Sequence, residues 1–147
     1  MDNNFDVLKL ENQLCFPLYA CSKELIKLYR PYLEKLNLTY TQYITMMVLW
    51  KEDKINVKDL GERLFLDSGT LTPVLKSLEA KGYVKRYRYE KDERVLIVEA
   101  TEEGKGLKKI AQDIPDDLKC SVSVEDEEAV QLYHTLYKIL EYIKSKY

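Results

Sequence analysis

Glycine and proline are scarce in this chain, 5 and 4 of 147 residues, and no low-complexity tract or repeat of solenoid length is present. That excludes linker-rich and collagen-like classes and leaves a globular chain, 46% hydrophobic and 33% charged. Apolar runs are short. None reaches the length of a membrane span, and the polar start MDNNFDVLKLENQ has no signal-peptide core. The expectation is a soluble, cytoplasmic protein without a membrane partner. Histidine occurs once, at His134 in an apolar-periodic stretch, which nearly removes histidine-based catalysis and metal binding. The three cysteines, Cys15, Cys21 and Cys120, are odd in number and irregularly spaced. They suit free thiols in a reducing compartment, not a disulfide framework or a zinc site. No metal and no cofactor is expected.

Net charge is −2, so no global basic signal for nucleic acid exists. The distribution is uneven. Residues 68–94 hold seven Lys/Arg against four Asp/Glu, and residues 112–147 hold four against eight. One basic face and a different task at the C-terminal end would produce that polarity.

Helical periodicity runs from about 13 to 36, with Asn12 as the expected N-cap, Cys15 third in the helix, and interruptions at Pro17 and Pro31. Thr39-Tyr-Thr-Gln42 reads as a capping box opening a second helix. Ile55 is an extended stub. Asn56 caps VKDLGERLFL, with Asp59 in its first turn. LDSGTLTP is a turn into TLTPVLKSLEAKG, which Gly82 closes. YVKRYRY and RVLIVEA read as strands joined by EKDE. Thr101 starts a fifth helix that weakens at Pro115, and Ser123 caps a last one. This order is a winged helix-turn-helix: mainly α with a small β-wing, flanked by N- and C-terminal dimerisation helices.

The functional expectations follow from that layout. Asp67, Ser68, Gly69 and Thr70 are small and polar at a helix N-terminus, where free N–H groups suit a phosphate backbone. Arg94 closes a short charged hairpin and could enter a narrow minor groove, although a solvated turn would look similar. Arg86 and Arg88 share one face of the first strand and Lys85 and Tyr87 the other; spacing does not say which face packs. The last helix carries Val130, Leu132, Tyr133, Leu136, Tyr137, Leu140 and Ile143, a broad apolar surface for a terminal element. It suggests a twofold dimer presenting two recognition helices to a pseudo-palindromic site. Cys15, near a helix N-terminus, could be a reactive thiolate or a small packed hydrophobe.

LENQLCFPLYACSKELIKLYRPYLEKLNLTYTQYITMMVLW, then VKDLGERLFLDSGTLTPVLKSLEAKG, KDER and DIP, together resemble the MarR family of transcription regulators. The likeness is closest to its organic-hydroperoxide-sensing OhrR branch. It covers residues 10 to about 115 and is weaker beyond. It implies a single domain over 1–147, with a winged core at about 37–101 and dimerisation helices at about 5–36 and 101–147. It implies a homodimeric repressor of double-stranded DNA, with Ser68, Thr70, Thr72 and Lys76 on the recognition helix. Asp92 and Arg94 would serve on the wing, and Asp67 as turn-former or base contact. Ser77 stands where close relatives often carry arginine, which puts one DNA contact in doubt.

The resemblance also implies that Cys15 is the peroxide-reactive cysteine, held by Tyr19, Tyr29 and Tyr40. Tyr29 is fourteen residues along the same helix, about 21 Å in rise, so it could serve only a partner's Cys15. Cys21 is a poor resolver, too far along its own helix for a disulfide. Cys120, after an Ile-Pro pair, resembles the resolving cysteine of some hydroperoxide sensors, reacting with the Cys15 of the other subunit. The resulting expectation is a repressor released from its operator when organic hydroperoxide oxidises Cys15. The alternative is a regulator answering a small phenolic ligand, with Cys15 structural. A thiol peroxidase is disfavoured because no peroxidatic proline/threonine/arginine cluster accompanies Cys15.

Overall fold

A computed structural model describes residues 6–147; the first residue of the expected dimerisation segment, residue 5, lies outside them. Helix α1 spans Cys15–Leu36, α2 Tyr40–Glu52, α3 Val57–Leu64, α4 Ser68–Ala80, α5 Glu102–Ala111, α6 Ile114–Lys119 and α7 Asp126–Lys144. Strands β1 (Lys54–Asn56), β2 (Val84–Tyr89) and β3 (Asp92–Ala100) form one antiparallel sheet in the order β1-β3-β2. The chain divides into two compact units, one ending at Ile114 and the other running Pro115–Tyr147.

The first unit is organised by local caps. Thr39 Oγ1 accepts the Gln42 N–H while the Gln42 side chain accepts the Thr39 N–H, completing the expected capping box. The Asn56 and Thr101 side chains cap α3 and α5 by accepting the Asp59 and Gly104 N–H groups. Asp67, expected in a turn, is the N-cap of α4, which therefore begins at Ser68 rather than Thr70; its carboxylate accepts the Thr70 N–H at 2.8 Å. Helix α3 stops at Leu64, two residues short of expectation, because Phe65 turns left-handed (φ 54°). The chain doubles back so tightly there that a Cβ on Gly61 would lie 2.8 Å from the Leu66 carbonyl oxygen. Gly82, with φ +78°, ends α4 as expected. Leu71, Leu75 and Leu78, spaced i, i+4, i+7, turn one face of α4 into a core with Leu36, Leu49, Leu60 and Val98.

The wing is tighter than expected. β2 and β3 pair from Val84↔Ala100 to Tyr89↔Asp92 with a bulge at Arg88/Tyr89, leaving only Glu90 and Lys91 as the loop. The Ile55 stub pairs with Val98 and makes β1 the third strand. Trp50 Nε1 donates to the Gly104 carbonyl at 2.9 Å, and a Cβ on Gly104 would lie 2.1 Å from the Tyr83 oxygen, so glycine alone lets α5 approach this closely.

Expectations at helix ends and prolines are corrected. Asn12 does not cap α1; it closes a 3-10 turn over Leu10–Asn12, and Leu14 precedes the helix without a side-chain cap. Cys15 is thus the first helical residue, not the third. Pro17 falls within the first turn, where its missing N–H has no intrahelical partner to lose. Pro31 sits inside α1 without ending it, and the buried Leu33 and Leu36 beyond it carry the helix to a left-handed Asn37. Pro115 does not weaken α5, which has already ended; it lies in the first turn of α6. Finally Glu125, not Ser123, caps α7, in a capping box with Glu128. No residue of α7 is buried, and Val130, Leu132, Tyr133, Tyr137, Leu140 and Ile143 are exposed.

Candidate nucleic-acid interface and redox site

The exposed face of α4 carries Ser68 and Thr70 in its first turn, then the half-buried Thr72 and the exposed Lys76. The three leucines bury one side of α4 and leave Thr70 and Lys76 on the outer side, while Ser68 is exposed at the helix start, which the Asp67 cap fixes. At the wing, the Arg94 side chain is 91% exposed. Asp92 orients it: Oδ1 accepts Arg94 Nε at 3.0 Å and its backbone N–H at 3.1 Å, and Oδ2 accepts Nη2 at 3.2 Å. These bonds hold the Asp92 carboxyl below the usual carboxylate range. Arg94 shares a groove of about 360 Å³ with Lys58 and the start of α3.

The strand arginines separate. Arg86 lies on the packed face opposite Val98 and binds Glu79 of α4 through Nη2 at 2.8 Å and Nε at 3.2 Å. Arg88 lines a cavity of about 940 Å³ with Lys54, Tyr87 and Tyr89. Lys85 and Tyr87 take the other face, where both meet Glu99: Nζ at 3.5 Å and the donating phenol at 2.8 Å. Spacing could not choose between the faces; pairing with β3 does.

Ser77 points inward. Its hydroxyl accepts Gln42 Nε2 at 2.9 Å, so the residue that stands where close relatives often carry arginine links α2 to α4 here. Lys81 joins the same network, donating to Gln42 Oε1 at 2.8 Å and to the Asn37 carbonyl at 2.7 Å; burial pushes its pKa down despite these acceptors.

Of the residues expected to hold a sensor cysteine, the structure brings Tyr29 and Tyr40 together, ring centres 5.0 Å apart and edge to face. Tyr43 completes the cluster at 5.8 Å from Tyr29 and 6.3 Å from Tyr40, and continues to Trp50 at 6.1 Å. Tyr43 was not anticipated, although its i, i+3 spacing from Tyr40 was the available signal. Burial raises the pKa of all three phenols, so they stay protonated donors well past neutrality. Cys15 and Tyr19 lie one turn apart at the other end of α1, both exposed, with Lys23 Nζ 4.9 Å over the Tyr19 ring. Helical rise puts Cys15 about 21 Å along the axis from Tyr29. Cys21 and Cys120 are also exposed. Among the described residues no group of His, Cys, Asp and Glu is arranged to hold a metal ion, and no helix is long and apolar enough to cross a membrane.

A winged helix-turn-helix with this element order also matches, over residues 27–111, the family description "Transcriptional regulator SarA/Rot". The chain belongs to this MarR-like family of transcriptional regulators. It is 48% identical, over 99% of both chains, to the organic hydroperoxide resistance transcriptional regulator of Bacillus subtilis (strain 168). The structure of reduced AbfR bound to DNA shares 34% identity and a TM-score of 0.76, covering 91% of this chain and 94% of that one. Disulfide-formed AbfR, at 34% identity and coverage of 89% and 92%, gives a TM-score of 0.64. The expected kinship with MarR regulators and their hydroperoxide-responsive branch is borne out by these relatives.

Proposed function

We propose that this SarA/Rot-family protein is a homodimeric, cytoplasmic, DNA-binding repressor that leaves its operator when organic hydroperoxide oxidises Cys15, and that it is not an enzyme. The observation carrying this reading is the separation of Cys15 from the Tyr29–Tyr40 pair. The half-buried, protonated phenols of Tyr29, toward the far end of α1, and Tyr40, at the start of α2, stand apart from the exposed thiol at the start of α1. Antiparallel α1 helices of two protomers would complete the site twice over. The exposed apolar residues of α1 and α7, including Leu18, Leu25, Tyr133 and Leu140, suit such a partner.

In the proposed reaction Cys15 Sγ, as thiolate, attacks the terminal peroxide oxygen. The O–O bond breaks, the alkoxide leaves and takes a proton to become the alcohol, and Cys15 is left as sulfenate. Tyr19 of the same chain and Tyr29 and Tyr40 of the other donate hydrogen bonds to the anion. The sulfenate takes up a proton, and the Cys120 thiol of the second subunit attacks the resulting sulfenic sulfur, forming the intersubunit disulfide and releasing water. On DNA, Ser68, Thr70, Thr72 and Lys76 meet the major groove of a pseudo-palindromic site, and the Asp92-oriented Arg94 enters the minor groove. Arg86 is bound to Glu79 and contributes through that pair, while Arg88 offers a phosphate contact. The DNA-bound, reduced relative and the hydroperoxide-resistance regulator support this assignment.

The test is a gel shift against the DNA upstream of this chain's own gene, with and without stoichiometric cumene hydroperoxide. Wild type should be released and Cys15→Ser should stay bound. Non-reducing gels should show a peroxide-dependent covalent dimer that Cys120→Ser lacks. If wild type and Cys15→Ser both stay bound, the redox reading fails and a small-ligand regulator takes its place.

A further inference from the structure

On the redox reading proposed above, an event at Tyr40 must reach α4 through the first turn of α2. Tyr40 is the first residue of α2, Thr39 is its cap, and Gln42 is the third residue of its first turn. These three are one rigid unit, because the capping box ties the Gln42 side chain to the Thr39 backbone and the Thr39 side chain to the Gln42 backbone. From that unit the Gln42 amide extends into α4. Nε2 donates to Ser77 Oγ at 2.9 Å, and Oε1 accepts Lys81 Nζ at 2.8 Å as well as the Thr39 N–H at 3.0 Å. Lys81 carries the link on to the Asn37 carbonyl at the end of α1. Gln42 is 5% exposed, and no buried side-chain polar atom among the described residues lacks a partner.

A buried amide holding three partners is not continuously deformable. If the first turn of α2 moves, either α4 moves with it or a buried polar group is stranded. Movement of α4 is therefore the accommodating response. The leucine face of α4 meets the core through apolar contacts, and its Glu79 is held by Arg86 of β2 at 2.8 Å, so a shift of α4 would carry the wing with it. We propose that Gln42, with Ser77 and Lys81, is the positioning device that transmits displacement of Tyr40 to α4. In this role Ser77 acts on DNA binding through its bond to Gln42, without touching DNA. Loss of the link should leave peroxide sensing intact but disconnect it from the DNA-reading surface.

The experiment uses the full-length protein, a fluorescent duplex of the upstream operator, and cumene hydroperoxide. Fluorescence anisotropy gives Kd for reduced and oxidised protein, and their ratio measures the coupling. Wild type, Gln42→Met and Ser77→Ala are compared, with thiol loss at Cys15 followed in parallel. The expected result is a ratio reduced about fivefold or more in the variants, the lower end of allosteric couplings, with unchanged thiol loss. Equal weakening of both forms, with the wild-type ratio intact, would show a merely structural role and overturn the proposal. If Gln42→Met does not fold, Ser77→Ala, which removes one bond, decides. A wild-type ratio near one would refute the redox reading itself, a result distinct from variants that release like wild type.

Discussion

Replacing Asp67 by alanine separates two roles open to this residue, helix cap and base contact. The structure assigns it the cap: its carboxylate accepts the Thr70 N–H at 2.8 Å, and the first turn of α4 contains no other acidic residue. Losing an N-cap of this type costs about 1 kcal/mol. Losing a negative charge beside the helix N-terminus costs roughly a further 0.5 kcal/mol. Asp67→Ala should therefore destabilise by about 1.5 kcal/mol, and at about 2–4 °C per kcal/mol for a chain of this size the midpoint should fall by about 3–6 °C. Asp67→Asn keeps the acceptor oxygen and gives up only the charge, so its midpoint should fall by about 1–2 °C. The alanine variant should also bind operator more weakly, because Ser68 and Thr70 sit on the turn that frays. On the proposed DNA contact the asparagine variant should bind as well as wild type or better, having removed a negative charge beside the turn assigned to the phosphate backbone. Thermal melts read by far-UV circular dichroism, beside anisotropy titrations on operator and on unrelated duplex, provide both numbers. The reasoning is refuted if asparagine fails to restore stability. It is refuted equally if asparagine restores stability but loses operator binding alone, since Asp67 would then be reading a base.

The remaining predictions concern the wing and the tyrosines. Arg94→Ala should weaken operator binding by about 1–3 kcal/mol per half-site and lower the salt slope by about one per protomer, leaving the melting midpoint unchanged; salt-dependent anisotropy checks this, and unaltered binding would remove the wing from the interface. Tyr29, Tyr40 and Tyr43 have raised pKa values in the folded state through burial, so their contribution to stability is complete below about pH 10 and is lost as pH rises through the folded values. Absorbance at 295 nm should show late-ionising phenols that titrate normally in urea, and Tyr40→Phe should remove one of them.

What the sequence determined by itself is what neighbouring residues determine. The capping box at Thr39 and Gln42, the caps at Asn56 and Thr101, and the left-handed closure at Gly82 involve partners three or four residues apart, so residue type and spacing suffice to place them. The element order, and with it the winged helix-turn-helix, followed from these signals. Cys15 and Tyr29 on one helix were already known to be too far apart to meet, because helical rise is independent of packing. Misplaced boundaries came where two local signals competed. Asn12 and Ser123 are good cap types, yet a 3-10 turn and a Glu125–Glu128 capping box took those positions.

Only the tertiary structure decided which way ambiguous side chains turn. Strand pairing with β3 put Arg86 on the packed face against Glu79 and left Tyr87 facing Glu99, a choice invisible to a period of two. Ser77 could be read outward as a missing DNA contact until Gln42, 35 residues earlier, was found bonded to it. The Tyr29–Tyr40–Tyr43 cluster likewise needs α1 and α2 to fold back on each other at Asn37. The physical reason is common to all three. A hydrogen bond or ring contact between distant residues depends on the spatial path of the chain between them, which burial of the leucine core fixes and local spacing does not encode.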